Sequence, residues 1–170
     1  NVFGTRADVL NDADAAELFD ELDKKCWGLE AVTTAHAVLD AAMAGWEDSP
    51  RTAMHAVAER LPDAAHIVDT GNFTVWAEHF LRVKHHLDLT GTPNGRYLGA
   101  GVGYALGTAL ARAPKVSVLW IGDGGIRANL AELALAVDHK LPLLVLGMRD
   151  GYLGSIRGRA RKLGWSQQPL

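Results

Sequence analysis

The chain holds one cysteine, Cys26, in 170 residues. One thiol cannot form an internal disulfide, so the fold must rest on packing and hydrogen bonds. A reducing, cytoplasmic setting is expected, with Cys26 inert. A surplus of positive charge is also missing, because the formal net charge is −3. Nothing in that balance favours a nucleic-acid partner. No apolar run approaches the ~20 residues needed to cross a bilayer, and no secretory leader is read at the start, so no membrane role is expected. Aromatic residues make up only 7% of the chain. Its tryptophans are expected to anchor a core or an interface rather than stack on a cofactor. No internal repeat or low-complexity tract is visible.

The hydrophobic content, 48%, is enough for one good core. The most informative stretch starts at residues 116–121, an apolar, β-branched run that reads as a strand and enters Gly122-Asp123-Gly124-Gly125. A helix-like segment, 128–139, follows, and Pro142 breaks it. A second apolar run, 143–148, ends at Arg149-Asp150-Gly151. A strand, helix and strand of this size form a right-handed crossover with parallel strands. The fold class is therefore α/β, a parallel sheet flanked by helices. Ligands in such sheets sit outside the carboxyl ends of the strands, where both Asp123 and Asp150 fall. The neighbouring glycines let a phosphate approach the backbone and its N–H donors. Two carboxylates facing one small space repel each other unless a hard divalent cation lies between them. The expected site is a metal bridging Asp123 and Asp150, with a diphosphate on the glycine turn.

The remaining segments are read more coarsely. The acidic stretch 1–25 contains a helix capped by Asn11 or Asp12 and running through Asp23. Residues 29–43 and 50–60 look helical, with Pro50 in a first turn. Residues 65–69 form a short strand. Residues 74–83 form a helix with Val75, Trp76, Phe80 and Val83 on one side. Residues 90–95 read as loop.

These motifs resemble the cofactor segment of thiamine-diphosphate enzymes, in particular the acetolactate-synthase and 2-oxoacid-decarboxylase group. The signature of that family is Gly-Asp-Gly, then a helix and a strand, then an Asn pair that completes a Mg²⁺ site. The stretch GDGGIRANLAELALAVDHKLPLLVLGMRDGYLG follows it, with EL-x-x-AV-x-H-x-LP inside. The resemblance implies thiamine diphosphate and Mg²⁺ as cofactors. It places Gly122, Asp123, Gly124 and Gly125 at the diphosphate. Asp123, Asp150 and the backbone carbonyl of Tyr152 become the metal ligands. Asp150 stands where the family usually has Asn. That change adds negative charge beside the diphosphate, and either ligation by carboxylate or altered cofactor binding follows from it. Upstream, RYLGAGVGYALGTALA matches a family segment in which Leu98 is the apolar wedge beneath the cofactor and the Arg96 carbonyl meets its amino group. IVDTGNFTVW matches a segment that brings Gly71 and Asn72 to the diphosphate, with Phe73 replacing a common His.

The resemblance implies a division into a preceding-domain tail and linker, 1–48, and a thiamine-diphosphate-binding domain, 49–170, that looks incomplete at its C-terminus. The family's glutamate for the aminopyrimidine lies in a separate pyrimidine-binding domain, and no segment here matches it. Catalytic residues within this chain are therefore unassigned. The expected partners are that domain or subunit, a 2-oxoacid substrate and further copies in a homo-oligomer. The implied activity is 2-oxoacid decarboxylation or acetolactate-type carboligation by a larger enzyme. The alternative is a non-catalytic relative that keeps the fold as an interaction module.

Several residues carry a plainer reading beside the functional one. Gly99, Gly101, Gly103 and Gly107 mimic a dinucleotide fingerprint, but they follow a loop rather than an apolar strand. Close packing of a helix on the sheet is their plain explanation. His85 and His86 read as an exposed pair and Glu132 as structural. Arg157, Arg159, Arg161 and Lys162 meet either an anionic ligand or solvent.

Overall fold

The computed structural model describes residues 28–44, 49–92 and 97–166. The expected helix ending at Asp23, Cys26 and Arg96 all lie outside those residues. Two compact units divide the chain, Asn1–Trp46 and Glu47–Leu170. In the first unit the described helix is α1 (Leu29–Met43), with the bounds read from the sequence.

The second unit opens with α2 (Ser49–Arg60), β1 (Ala65–Val68) and α3 (Phe73–Phe80). A 3-10 turn, His86–Asp88, then leads into β2 (Leu89–Gly91), α4 (Ala100–Arg112) and β3 (Ser117–Gly122). Next come α5 (Asp123–Asn129), a second 3-10 turn (Leu130–Leu133) and α6 (Ala134–Asp138). β4 (Leu143–Met148) and α7 (Gly154–Lys162) complete it. The sheet order is β2-β1-β3-β4, and each neighbouring pair is parallel. The α/β class with a parallel sheet is thus the observed architecture.

β1 and β3 are central and nearly continuous apolar runs, as strands covered on both faces must be. Ile67 pairs with Leu119, and Leu119 with Val145. Ile67, Leu119 and Ile121 are fully buried, together with Val102 and Ala105 of α4. That contact seats α4 on one face of the sheet. The other face carries His66 and Trp120. Trp120 is fully buried, and its Nε1 donates to His66 Nδ1 at 3.1 Å. Among the described tryptophans Trp120 is therefore core, whereas Trp165 is 65% exposed.

Several boundaries differ from the sequence reading, each for a local reason. Helix α5 starts at Asp123, so Gly122-Asp123-Gly124-Gly125 is a strand-to-helix corner rather than a free turn. The Asp123 carboxylate accepts the Gly124 N–H at 3.0 Å, and an acidic first turn suits a helix start. The single helix expected over 128–139 is broken, because Asn129 leaves helical geometry at φ −133°. In α3 the buried residues are Phe73, Ala77 and Phe80, at i, i+4 and i+7. Val75 is 49% exposed, and Val83 lies beyond the helix because Leu81 is extended. Thr90 and Gly91, read as loop, belong to β2, where register with Ile67 and Val68 overrides weak strand propensity.

The amino ends of the strands are tied by charge. Asp88 accepts hydrogen bonds from Arg112 and from Lys115, the latter at 2.9 Å. The Lys115 hydrogen bond, then those of Arg112, hold the Asp88 carboxyl below its ordinary range against the opposing effect of burial. This cluster joins the start of β2 to the end of α4 and lies away from the carboxyl ends of the strands.

Candidate functional site

The strand order reverses between β1 and β3. From β1 the chain moves outward to β2, and α4 then returns it to β3 on the other side of β1. Segments leaving the carboxyl ends of β1 and β3 therefore diverge and open a crevice. A cleft of about 390 Å³ occupies this position. It is walled by the segments that follow β1, β3 and β4, and by Leu98.

The residue after β1 organises the cleft. Asp69 is fully buried, and its backbone N–H pairs with Trp120 O at 2.9 Å. Its carboxylate accepts the Gly99 N–H at 2.9 Å and the Gly101 N–H at 3.0 Å. Gly99 has φ +86°, and a Cβ there would meet Asn129 Nδ2 at 2.4 Å and the Gly125 carbonyl at 2.7 Å. A Cβ on Gly125 would lie 2.4 Å from Asp69 Oδ2. One buried carboxylate thus fixes the Leu98–Gly99 corner against both β1 and the β3–α5 corner. Asp69 lies within IVDTGNFTVW, and no local pattern marks its role, because its partners are 30 and 32 residues away. Gly101 also serves close packing, since a Cβ would lie 2.8 Å from Asp69 Cβ and 3.1 Å from Leu119. The packing reading does not extend to Gly103 and Gly107, which face open space.

The loop from Thr70 to Asn72 is stiffened locally. Thr74 Oγ1 accepts the Gly71 N–H at 3.1 Å and donates to Asp69 O at 3.0 Å. Phe73 is buried, and a Cβ on Gly71 would fall 2.3 Å from its ring. Phe73 therefore packs under the loop while also lining the cleft.

On the opposite wall the Asp150 carboxylate accepts the Tyr152 N–H at 2.9 Å, an Asx turn that aims the residues after β4. Gly154 begins α7, and a Cβ on it would lie 2.5 Å from Asp150 Oδ2 and 2.6 Å from Asn72 Nδ2. No local pattern in the sequence marks Gly154, and it is where the segments after β1 and β4 approach each other. The Arg157 guanidinium lies 3.6 Å over the Tyr152 ring, and α7 carries the other exposed cations, Arg159, Arg161 and Lys162. The basic cluster thus forms a helix whose first residues border the cleft.

Gly71, Asn72, Leu98, Gly122, Asp123, Gly124, Asp150 and Tyr152 all line the cleft. Gly125 is buried beside Asp69 rather than lining it. His85 and His86 are exposed and outside it, with rings 4.3 Å apart, and Glu132 is exposed on the second 3-10 turn. No cluster of three or more His, Cys, Asp or Glu side chains suited to a metal occurs among the described residues. Among these residues, Asp123 and Asp150 are the two carboxylates that line the cleft. None of the described helices is long and apolar enough to cross a membrane.

Comparison with known proteins gives a consistent picture. The family model for the C-terminal TPP-binding domain of thiamine pyrophosphate enzymes matches residues 69–169. The large subunit of acetolactate synthase isozyme 3 from Escherichia coli is 37% identical over 60 residues, 35% of this chain and 10% of that protein. Human 2-hydroxyacyl-CoA lyase 2 is 31% identical over 118 residues, 68% of this chain and 19% of that protein. This chain therefore spans less than a fifth of either relative. Among solved structures, a thiamine diphosphate-dependent 4-hydroxybenzoylformate decarboxylase from Rhodococcus jostii superposes with a TM-score of 0.64. Its sequence identity is 23%, over 71% of this chain and 23% of that one, so the likeness is one of fold.

Proposed function

The chain belongs to the thiamine pyrophosphate enzymes, as their C-terminal TPP-binding domain, and from that premise we propose that its cleft holds thiamine diphosphate through Mg²⁺ and serves 2-oxoacid decarboxylation or acetolactate-type carboligation. The observation that carries this reading is the convergence of Asp123, Asp150 and the glycine corner on one cleft at the switch point of the sheet.

The residues present fit such a group. A Cβ on Gly124 would meet Leu153 at 2.8 Å and Leu98 at 3.3 Å, so the corner leaves backbone open where a side chain would fill the cleft. Each carboxylate is oriented by a backbone N–H on its Oδ1, Asp123 by Gly124 and Asp150 by Tyr152. Carboxylate oxygens are the hard donors that Mg²⁺ prefers. The carbonyl of Tyr152 completes the proposed ligand set. Leu98, 44% exposed at the cleft, is the proposed wedge under the cofactor.

When bound, thiamine diphosphate supplies the electron sink that allows a bond beside a carbonyl carbon to break. Within this chain the residues bind and orient. Asp123 and Asp150 hold the metal, Gly71 and Asn72 flank the diphosphate, and the Asp69 anchor keeps Leu98 in register with them. The proton relay and much of the substrate pocket fall to a pyrimidine-binding domain or subunit. Asp150 in the place of Asn also supports a second reading, a relative that keeps the fold as an interaction module with weakened cofactor binding.

Calorimetric titration with thiamine diphosphate separates the two. The proposed function requires binding that depends on Mg²⁺ and is abolished in Asp123→Ala. Asp150→Asn should bind as well as the wild type or better, since it relieves one negative charge. Unchanged affinity in Asp123→Ala would sink the site.

A further inference from the structure

Arg149 is the only cationic side chain lining the cleft among the described residues. It ends the β4 segment next to Asp150, is exposed, and forms no hydrogen bond or ion pair with the described residues. Three other cations have partners. Arg112 and Lys115 pair with Asp88, and Arg157 covers the Tyr152 ring. One guanidinium is thus available to an anion at a cleft that also holds two carboxylates.

An anion bound here would need that cation because of the charge already in the cleft. In the reading above, a divalent cation is held by Asp123 and Asp150. Two positive charges then meet two negative ones, and the metal with its ligands presents no net charge to a diphosphate. One carboxylate and one amide would leave a single positive charge. Asp150 removes that charge, and Arg149 beside it can return it. Arginine suits the task because its planar fork donates two parallel hydrogen bonds to phosphate oxygens.

We propose that Arg149 is a diphosphate-binding residue that offsets the negative charge of Asp150, so that the two positions compensate each other. The proposal rests on the cleft being a thiamine-diphosphate and Mg²⁺ site.

The test is calorimetric titration of the full chain, in wild-type form and as Arg149→Ala, Asp150→Asn and the double variant. The probes are thiamine diphosphate with Mg²⁺, inorganic pyrophosphate with Mg²⁺, and thiamine, which lacks phosphate. Arg149 is exposed, so the variants should keep the wild-type melting temperature. Arg149→Ala should weaken thiamine diphosphate and pyrophosphate by about tenfold or more, as the loss of charge-assisted hydrogen bonding to phosphate oxygens implies. Thiamine should be unaffected. The double variant should return toward wild-type affinity. Equal affinities for wild type and Arg149→Ala overturn the proposal, as does a double variant no tighter than Arg149→Ala. A loss that is the same for thiamine also overturns it. Should Asp123→Ala abolish binding while Arg149→Ala does not alter it, the Arg149 role alone fails. If the wild type binds neither phosphate probe, both the role and the reading of the cleft fail.

Discussion

Replacing Asp69 by alanine removes the acceptor of two buried amides, those of Gly99 and Gly101, and offers no substitute. An unpaired buried donor costs about 1–3 kcal/mol. The expected loss is roughly 2–4 kcal/mol after allowing for the relief of a buried charge. Urea denaturation should show a lower midpoint with an unchanged slope. Asp69→Asn should fare little better, because one of its two side-chain polar atoms is a donor facing another donor. A midpoint within error of the wild type would mean that Asp69 does not hold the Leu98 corner. Asp123 and Asp150 were legible because each ends an apolar run and the runs flank one helical segment. Asp69 and Gly154 were not, because their meaning lies in partners far along the chain. Nothing in IVDTGNFTVW says that its aspartate reaches the amides at Gly99 and Gly101, and nothing in RDGYLG says that Gly154 lies against Asn72.

At the scale of elements, β1 and β3 are joined across one face by a polar contact inside an apolar layer. Trp120 Nε1 donates to His66 Nδ1, which requires that nitrogen to be unprotonated. Burial lowers the His66 pKa from its usual 6.5, while the Asp88 charge opposes that shift. Asp88 is itself engaged by Arg112 and Lys115. The unfolded chain therefore takes up the imidazole proton before the folded chain does. The stability contributed by neutral His66 is complete above about pH 6.5 and is lost as pH falls through the lowered folded-state value. Denaturation midpoints measured from about pH 7.5 down to about pH 5, a span that brackets the ordinary histidine pKa, should fall for the wild type. They should fall less steeply for His66→Asn, which cannot titrate there. Identical pH profiles for the two proteins would rule the contact out as a source of acid sensitivity. The strands themselves were readable because central parallel strands are apolar throughout. Helix ends were less so. The start of α5 at Asp123 is hidden by the turn-like composition of Gly-Asp-Gly-Gly, and the buried stripe of α3 runs through Phe73, Ala77 and Phe80 rather than through Val75 and Val83.

At the scale of the molecule, the cleft has walls contributed by the segments after three strands, and its mouth is bordered by apolar side chains. Leu98 and Ile156 line the cleft and are 44% and 63% exposed, and Tyr97, next to Leu98, is 71% exposed. Apolar surface gathered at a binding cleft is costly to leave in water and favours association. The chain also spans less than a fifth of the curated relatives described above. In the proposed function a pyrimidine-binding domain forms a further wall, and its arrival would cover Leu98 and Ile156 together with the cofactor. The expected outcome is a homo-oligomer, or a complex with a partner that carries the pyrimidine-binding domain. Light scattering across a concentration series reads the mass directly. Leu98→Ser combined with Ile156→Ser should shift any association toward the monomer, while exposed positions far from the cleft, such as Val137, should not when changed in the same way. A strict monomer at high concentration, in a protein with all its domains present, would mean that this surface serves only the ligand.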